Sequence, residues 1–195
     1  MDKVKVAFIG DSGVGKTSLL KRRIDNSFED EDTNPTIGAS CLQITENVSG
    51  QNVDLVLWDT AGQEKYKALS PLYIKNSFAI VFVYAINDEN SFKSIKKWYN
   101  IAMDSLDSID PYFILVANKN DLEDKKVTDE EGRNKAEEFK MDFLSVSART
   151  GDAVNSIFEN IAFSYLNKKV KLESVIESNS VDLANDQVPK KEDKS

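Results

Sequence analysis

A glycine-rich segment near the start of the chain has the residue types and spacing of a phosphate-binding loop. Residues 10–17 read GDSGVGKT, which matches the pattern G-x-x-x-x-G-K-[ST] between an apolar run and a helical pattern. Glycines let backbone N–H groups curl around a phosphate, and the positive end of the following helix adds to the attraction. In this pattern Lys16 reaches the β- and γ-phosphate oxygens, and the Thr17 hydroxyl binds Mg²⁺. The candidate phosphate-binding residues are Ser12, Gly13, Val14, Gly15, Lys16, Thr17 and Ser18.

A second polar segment, WDTAGQE at residues 58–64, comes at the end of another apolar run. Asp59 is placed to hold Mg²⁺ through water, and Gly62 is placed for its N–H to approach the γ-phosphate. The neutral amide of Gln63 is able to orient a water molecule in line with that phosphate. Without the glycine-rich loop, the same residues would suit an ordinary turn at the end of a strand. Together with the glycine-rich loop, whose matching anion is a nucleotide polyphosphate, these residues predict hydrolysis of that nucleotide.

Two further polar segments, NKND at 118–121 and SAR at 147–149, each follow an apolar run. The Asp121 carboxylate can accept hydrogen bonds from the N1 and N2 donors of guanine, which adenine lacks, and the Ala148 N–H can bind the guanine O6. Alone, either segment would be an ordinary polar loop, but their order after the glycine-rich loop gives them meaning. They predict that GTP is preferred over ATP, which argues against a nucleoside kinase that uses ATP.

The elements that must position these segments are short runs of β-branched and aromatic residues. Most are continuously apolar, as expected for strands covered on both sides, and the gaps between them allow crossover helices. Residues 40–58 are an exception, because two strand-like runs flank a gap that fits a hairpin only. We therefore predict an α/β fold with a mainly parallel six-stranded sheet, one antiparallel edge strand and helices on both faces. The six predicted strands are the first run of the hairpin and residues 4–9, 53–58, 78–84, 112–117 and 142–146.

Helical spacing of apolar residues predicts helices over 91–107 and 152–168. Thr128 and Glu131 have the spacing of a capping box, which predicts the start of another helix. After residue 168 the periodicity is lost and polar residues dominate. We therefore predict one domain over residues 1–167, followed by a flexible tail over 168–195.

Composition excludes several classes of function. The chain has 195 residues, no histidine, one cysteine and a formal net charge of −8. The absence of histidine excludes catalytic triads and histidine-ligated metals, and the single cysteine, Cys41, allows no internal disulfide. The negative charge argues against nucleic acid as a partner. With no apolar run as long as the roughly 20 residues of a membrane-spanning helix, we expect a cytoplasmic protein.

Taken together, GDSGVGKT, Thr36, WDTAGQE, NKND and SAR resemble the Ras-like small GTPases over residues 3–167. Within that superfamily, PTIGAS, WDTAGQEKYKALSPLY and FVYAIND are most similar to the Rab branch. Within that branch, the chain resembles the endosomal Rabs. The resemblance implies a P-loop GTPase domain that uses Mg²⁺, binds GTP and GDP, and hydrolyses GTP slowly without an activating protein. It also implies a molecular switch that regulates vesicle traffic, and we expect a monomer.

The resemblance assigns further roles. Phe28 stacks on the guanine, and Lys119 packs along the base beside Asn118. Thr36 binds Mg²⁺ and the γ-phosphate in the GTP state only, so loss of that phosphate releases two switch loops at about 29–41 and 61–75. An exchange factor, a GTPase-activating protein and effectors are expected to bind these loops. The catalytic residues are then Gln63, Lys16 and Thr36, the nucleotide-binding set also includes Ser147, Ala148 and Arg149, and the metal residues are Thr17, Thr36 and Asp59.

Three departures from the Rab pattern leave alternatives open. Cys41 stands where Rabs usually carry a phenylalanine beside Trp58 and Tyr73, and Arg149 stands where a lysine is usual. The last residues contain no cysteine for prenylation, so peripheral association with endosomal or other vesicle membranes stays an open expectation. The alternative function is a module that binds GTP or GDP without cycling and acts as a scaffold.

Overall fold

Six strands form one sheet in a computed structural model that describes residues 3–29, 39–60, 70–107 and 110–185. Side chains are described within these ranges, apart from those of residue 70 and residues 175–185. The order across the sheet is β2-β3-β1-β4-β5-β6. The strands are β1 (Lys3–Ile9), β2 (Ala39–Val48), β3 (Gln51–Thr60), β4 (Ala79–Ala85), β5 (Tyr112–Asn118) and β6 (Asp142–Ser145).

All neighbouring strands are parallel except the pair at one edge. β1 runs parallel to β3 and β4, and β5 runs parallel to β4 and β6. β2 pairs antiparallel with β3 through a tight turn at Ser49 and Gly50, whose φ angles of 53° and 81° are left-handed. A two-residue turn with positive φ angles suits a hairpin, because its twist matches that of the paired strands. The predicted sheet and its antiparallel edge strand are confirmed.

Helices cover both faces of the sheet because alternate residues of the central strands point to opposite sides. Val6 and Phe8 of β1 lie in one buried cluster with Phe158, whereas Ala7 lies in a second cluster with Trp98. The helices are α1 (Lys16–Asp25), α2 (Ser70–Ile74), α3 (Glu89–Lys93), α4 (Ile95–Ser105), α5 (Asp129–Glu138) and α6 (Val154–Asn185).

Two helix boundaries differ from the sequence-based prediction. Instead of the single helix predicted over 91–107, the structure has two helices, α3 and α4. Asp88 caps the start of α3, and Ser94 separates α3 from α4. The helix predicted to end at 168 continues to Asn185, which corrects that boundary. Residues 169–185 contain neither glycine nor proline, and the next proline is Pro189, so no residue of a helix-stopping type interrupts α6. The flexibility of the tail stays a prediction.

The predicted capping box at the start of α5 is confirmed and gives a test of local stability. The Thr128 hydroxyl accepts a hydrogen bond from the Glu131 N–H at 3.2 Å, and the Glu131 carboxylate accepts one from the Thr128 N–H at 2.8 Å. Thr128→Ala removes the first bond, so we expect the free energy of unfolding to fall by about 1 kcal/mol. Thr128→Ser keeps a capping hydroxyl and should retain most of the stability. Urea unfolding checks this, and equal losses in both variants would contradict the capping role.

Candidate nucleotide-binding site

Four polar segments meet at one edge of the sheet. They begin within or directly after the ends of β1, β3, β5 and β6, which are mutually parallel, so the described parts of all four lie at the carboxyl ends of their strands. Ligands of α/β proteins bind at this edge. The topology therefore brings together the segments that were separated by more than a hundred residues in the sequence.

The loop between β1 and α1 depends on glycine at two positions. Gly10 has a φ of 147°, and a Cβ there would lie 2.2 Å from the Val83 carbonyl oxygen. Gly15 has a φ of 96°, and a Cβ there would lie 2.2 Å from Nδ2 of Asn118. Gly15 is also the N-cap residue of α1, and no side chain hydrogen bond caps that helix. The N–H groups of its first turn are thus placed to bind an anion.

Lys16 is buried beneath this loop, with 5% of its surface exposed. Its ammonium donates to the carbonyl oxygens of Gly10 at 2.8 Å and Asp11 at 2.9 Å. Burial lowers the pKa of Lys16 to about 8, and the carboxylates of Asp59 and Asp11 oppose that shift. The loop therefore holds a desolvated cation that a phosphate anion would stabilise.

Asp59 at the end of β3 faces the first turn of α1. The Thr17 hydroxyl donates to Asp59 Oδ2 at 2.7 Å. The other carboxylate oxygen, Oδ1, is buried and accepts no hydrogen bond from the described residues. Burial raises the pKa of Asp59, opposed by the Thr17 hydrogen bond and by the charges of Lys16 and Lys21.

This pair of oxygen donors fits Mg²⁺, which binds few protein ligands and keeps water and phosphate oxygens as the others. A buried carboxylate oxygen without a partner is the kind of group that a cation would satisfy. Within the described ranges, no cluster of three or more acidic, cysteine or histidine side chains could hold a metal ion. The Thr17–Asp59 contact and the buried Oδ1 atom make these two residues the candidate donors among the described residues.

Asn118, the last residue of β5, and Lys119, directly after it, hold the phosphate loop from the other side. The buried Asn118 side chain donates from Nδ2 to the Val14 carbonyl at 2.8 Å and accepts from the Ala148 N–H at 3.1 Å. Lys119 donates to the Gly13 carbonyl at 2.8 Å. The Ala148 N–H that the sequence assigned to guanine O6 is thus hydrogen-bonded to Asn118.

The Asp121 carboxylate is oriented by the last of the four segments. The Ser147 hydroxyl donates to Asp121 Oδ1 at 2.6 Å and accepts from the Thr150 N–H at 3.0 Å. Asp121 is exposed, whereas Ser147 is buried, so a fixed hydroxyl supports an open carboxylate. That arrangement leaves the carboxylate accessible to a base from solvent.

Some predicted site residues lie outside the described residues, namely Thr36, Gly62 and Gln63, together with most of both switch loops. Phe28 is half-buried and packs against the core cluster beside α6. Ser12 and Arg149 are exposed. The structure thus brings together the phosphate loop, Asp59 and the two base segments.

Two neighbouring contacts were not predicted. The buried Trp98, within the helical pattern predicted over 91–107, donates from its indole Nε1 to Asp11 Oδ1 at 2.8 Å. Arg22 donates to the carbonyl oxygens of Ala148 and Arg149. Nothing in the sequence distinguishes Arg22 from its neighbours, because its partners are 126 and 127 residues away.

A partly exposed aromatic pair lies beside Cys41, near the second switch loop. Trp58 and Tyr73 have ring centroids 5.4 Å apart, and Cys41 pairs with Trp58 across the β2–β3 ladder. Cys41 is exposed. The Lys5 ammonium lies 5.4 Å from the Trp58 ring centroid. A partner that binds this surface would meet a thiol where Rabs usually present a phenyl ring.

Comparison with known proteins agrees with this geometry. The model of the Ras family matches residues 5–167, which is most of the chain. The chain belongs to the Ras family of small GTPases. Ras-related protein SEC4 of Saccharomyces cerevisiae is 37% identical over 163 residues, covering 82% of this chain and 73% of that protein.

The predicted family and fold are therefore confirmed. This chain is a small GTPase of the Rab branch, which binds GTP and GDP and hydrolyses GTP. Among its described helices, none is both long and apolar enough to cross a membrane.

The buried Lys16 predicts that nucleotide binding is linked to proton uptake. Bound phosphate favours the charged ammonium, so the complex holds more protons than the free protein above pH 8, and affinity falls as pH rises through that value. We expect GDP binding at about pH 8.5 to take up roughly two-thirds of a proton or more, and little at about pH 7. Calorimetry in two buffers of different ionisation enthalpy measures this uptake.

Lys119→Arg is the control for this measurement, because burial also lowers the pKa of Lys119, whereas arginine stays charged. Uptake that persists in this variant belongs to Lys16. Identical apparent enthalpies in the two buffers at the alkaline pH would contradict the linkage.

Proposed function

We propose that this protein is a Rab-type switch in vesicle traffic, with its nucleotide bound by the four segments at the carboxyl edge of the sheet. The contact between the Thr17 hydroxyl and the Asp59 carboxylate carries the proposal. It joins the phosphate loop to the segment that precedes Gln63, and it leaves Asp59 Oδ1 buried without a partner among the described residues. A GTP phosphate would bind the phosphate loop, and its counter-ion would satisfy the Asp59 carboxylate.

At the phosphate end, the residues of the chain mainly supply charge and positioning. Lys16 neutralises charge on the β- and γ-phosphates, and the first-turn N–H groups of α1 bind phosphate oxygens. Thr17 and Thr36 would hold Mg²⁺ directly and Asp59 would hold it through water, and the ion would supply positive charge that offsets the charge of the phosphates. Gln63 orients the attacking water, and Gly62 donates its N–H to the γ-phosphate.

At the base end, specificity comes from Asp121. Its carboxylate accepts the N1 and N2 hydrogens of guanine, and the Ser147 hydroxyl at 2.6 Å fixes its orientation. Phe28 and Lys119 cover the two faces of the base. The exposed position of Asp121 is consistent with this role, because the base must enter from solvent.

Fast hydrolysis requires an arginine from a partner. All four arginines of the chain lie in the described ranges, and each is placed away from the phosphate loop. Arg22 and Arg149 lie at the base end, Arg23 pairs with Glu46 at 2.5 Å, and Arg133 lies over the Phe143 ring. An activating protein that supplies an arginine to the γ-phosphate would raise the rate by about 10³ to 10⁵.

The switch loops at about 29–41 and 61–75 are the proposed surface for the exchange factor, the activating protein and effectors. Retention of the γ-phosphate orders such loops, and its loss releases them. Peripheral association with a vesicle membrane would then follow the nucleotide state through these partners.

Gln63→Leu tests the hydrolytic role. The leucine cannot orient water, so we expect phosphate release from pre-bound GTP to slow by about tenfold or more, with GTP affinity little changed. Single-turnover release of radiolabelled phosphate in Mg²⁺ measures the rate. A parent protein that holds GTP without any release would favour the non-cycling scaffold, and equal rates in parent and variant would overturn the role of Gln63.

Asp121→Asn tests base selection. Guanine loses two charge-assisted hydrogen bonds, so the Kd for GTP should rise by about a hundredfold or more. An asparagine amide can instead accept from N1 and donate to the 2-carbonyl of xanthine, so xanthosine triphosphate should become the better ligand. Asp124→Asn, an exposed residue paired with Lys126, is the matched control and should keep the parent's preference. An unchanged preference in Asp121→Asn would show that the base is read elsewhere.

A further inference from the structure

All three nitrogens of the Arg22 guanidinium donate hydrogen bonds, and together these bonds connect two segments of the chain. Its Nε donates to the Ala148 carbonyl at 2.8 Å, and one terminal nitrogen donates to the Arg149 carbonyl at 2.5 Å. The other terminal nitrogen donates to the backbone carbonyl of Asn26 at 2.9 Å and to its side-chain oxygen at 3.2 Å. Such a rigid fork orders its acceptors because its donors are fixed relative to one another.

One of these segments is the loop after β6, and its Ala148 residue is held from both sides. The Ala148 N–H donates to Asn118 Oδ1 at 3.1 Å, and the Ala148 carbonyl accepts from Arg22. Ser147, directly before it, orients Asp121. Arg22 therefore fixes the loop after β6. Other contacts of that loop reach Asn118 and Asp121 in the base segment.

The other segment is the end of α1. Asn26 is the C-cap residue of this helix, with a left-handed φ of 49°, and it lies two residues before Phe28. The Arg22 fork thus connects the approach to Phe28 with the loop at 147–149. Gly151, in the same loop, has a left-handed φ of 87°, and a Cβ there would only reach ordinary contact with Arg22 Cδ, at 3.5 Å.

We propose that Arg22 is a positioning residue that holds the two sides of the base pocket together and thereby limits the rate of nucleotide release. The proposal rests on the assignment of the guanine base to this end of the site. Arg22 contacts carbonyl and amide oxygens of the protein, so it acts through Ala148 and Asn26. Its loss should free the base while the phosphate end, built on Lys16, keeps its own contacts.

The test compares release with hydrolysis in Arg22→Ala, Arg22→Gln and Arg22→Lys. Release of fluorescent GDP is followed in excess Mg²⁺ and unlabelled GDP, and hydrolysis is followed in a single turnover from pre-bound GTP. We expect Arg22→Ala to release GDP about tenfold to a hundredfold faster, with hydrolysis changed by about twofold at most. Arg22→Lys should lie between Arg22→Ala and the parent, because an ammonium cannot span both segments.

Arg23→Gln is the matched control on the same helix. Arg23 pairs with Glu46 at 2.5 Å and lies 5.8 Å from the Phe158 ring centroid, so its loss also removes a partly buried charge contact. It should unfold at a lower temperature yet release GDP at the parent's rate. This separates general destabilisation from the specific contact.

Three outcomes would overturn the proposal: unchanged release in the Arg22 variants, equal acceleration in Arg23→Gln, or a parallel loss of hydrolysis. If Arg22→Ala does not fold, Arg22→Gln and Arg22→Lys decide, since both keep a polar side chain at this position. A parent that binds GDP but never hydrolyses GTP would refute the proposed switch and still leave the release comparison measurable. Failure of the two proposals is therefore distinguishable.

Discussion

The candidate nucleotide site depends on one buried side-chain amide. Asn118 donates to the Val14 carbonyl and accepts from the Ala148 N–H, so a single residue at the end of β5 links the phosphate loop, the base segment and the loop after β6. Parallel strands bring these loops to one edge, and this contact helps to set their spacing. The same amide explains Gly15, because any Cβ there would lie 2.2 Å from Asn118 Nδ2. The close approach and the left-handed backbone thus both require glycine at this position.

The charges at the phosphate end are arranged for a ligand more than for the protein alone. Burial lowers the pKa of Lys16 and raises the pKa of Asp59, so desolvation disfavours both charged forms. Local hydrogen bonds from Thr17 and to backbone carbonyls offset part of this cost. A bound polyphosphate with its cation would supply opposite charge to each group. Such locally unfavourable arrangements are expected where stability is given up for binding.

Much of this molecule was predictable because its signals are local. Continuous apolar runs identified the strands, and fixed spacings identified the phosphate loop and the Thr128 capping box. The break at Ser94 was missed, since apolar spacing continues through it, and the extent of α6 was missed because the prediction relied on lost periodicity. Arg22 could not be found, because a fork that reaches residues 126 positions away leaves no pattern in the sequence. The roles of Thr36, Gly62 and Gln63 stay predictions.

The hydrogen bond from Trp98 to Asp11 gives the protein a built-in optical reporter. The chain has two tryptophans, and they lie in different surroundings. Trp98 is fully buried with its indole N–H on the phosphate loop, whereas Trp58 is partly exposed on β3 against Tyr73. Indole emission responds to the polarity and hydrogen bonding of its surroundings, so Trp98 would respond to events at the loop and Trp58 to a protein that covers the aromatic surface. Each tryptophan replaced singly by phenylalanine would leave one indole, and nucleotide exchange and partner binding could then be followed separately by tryptophan emission without an attached dye.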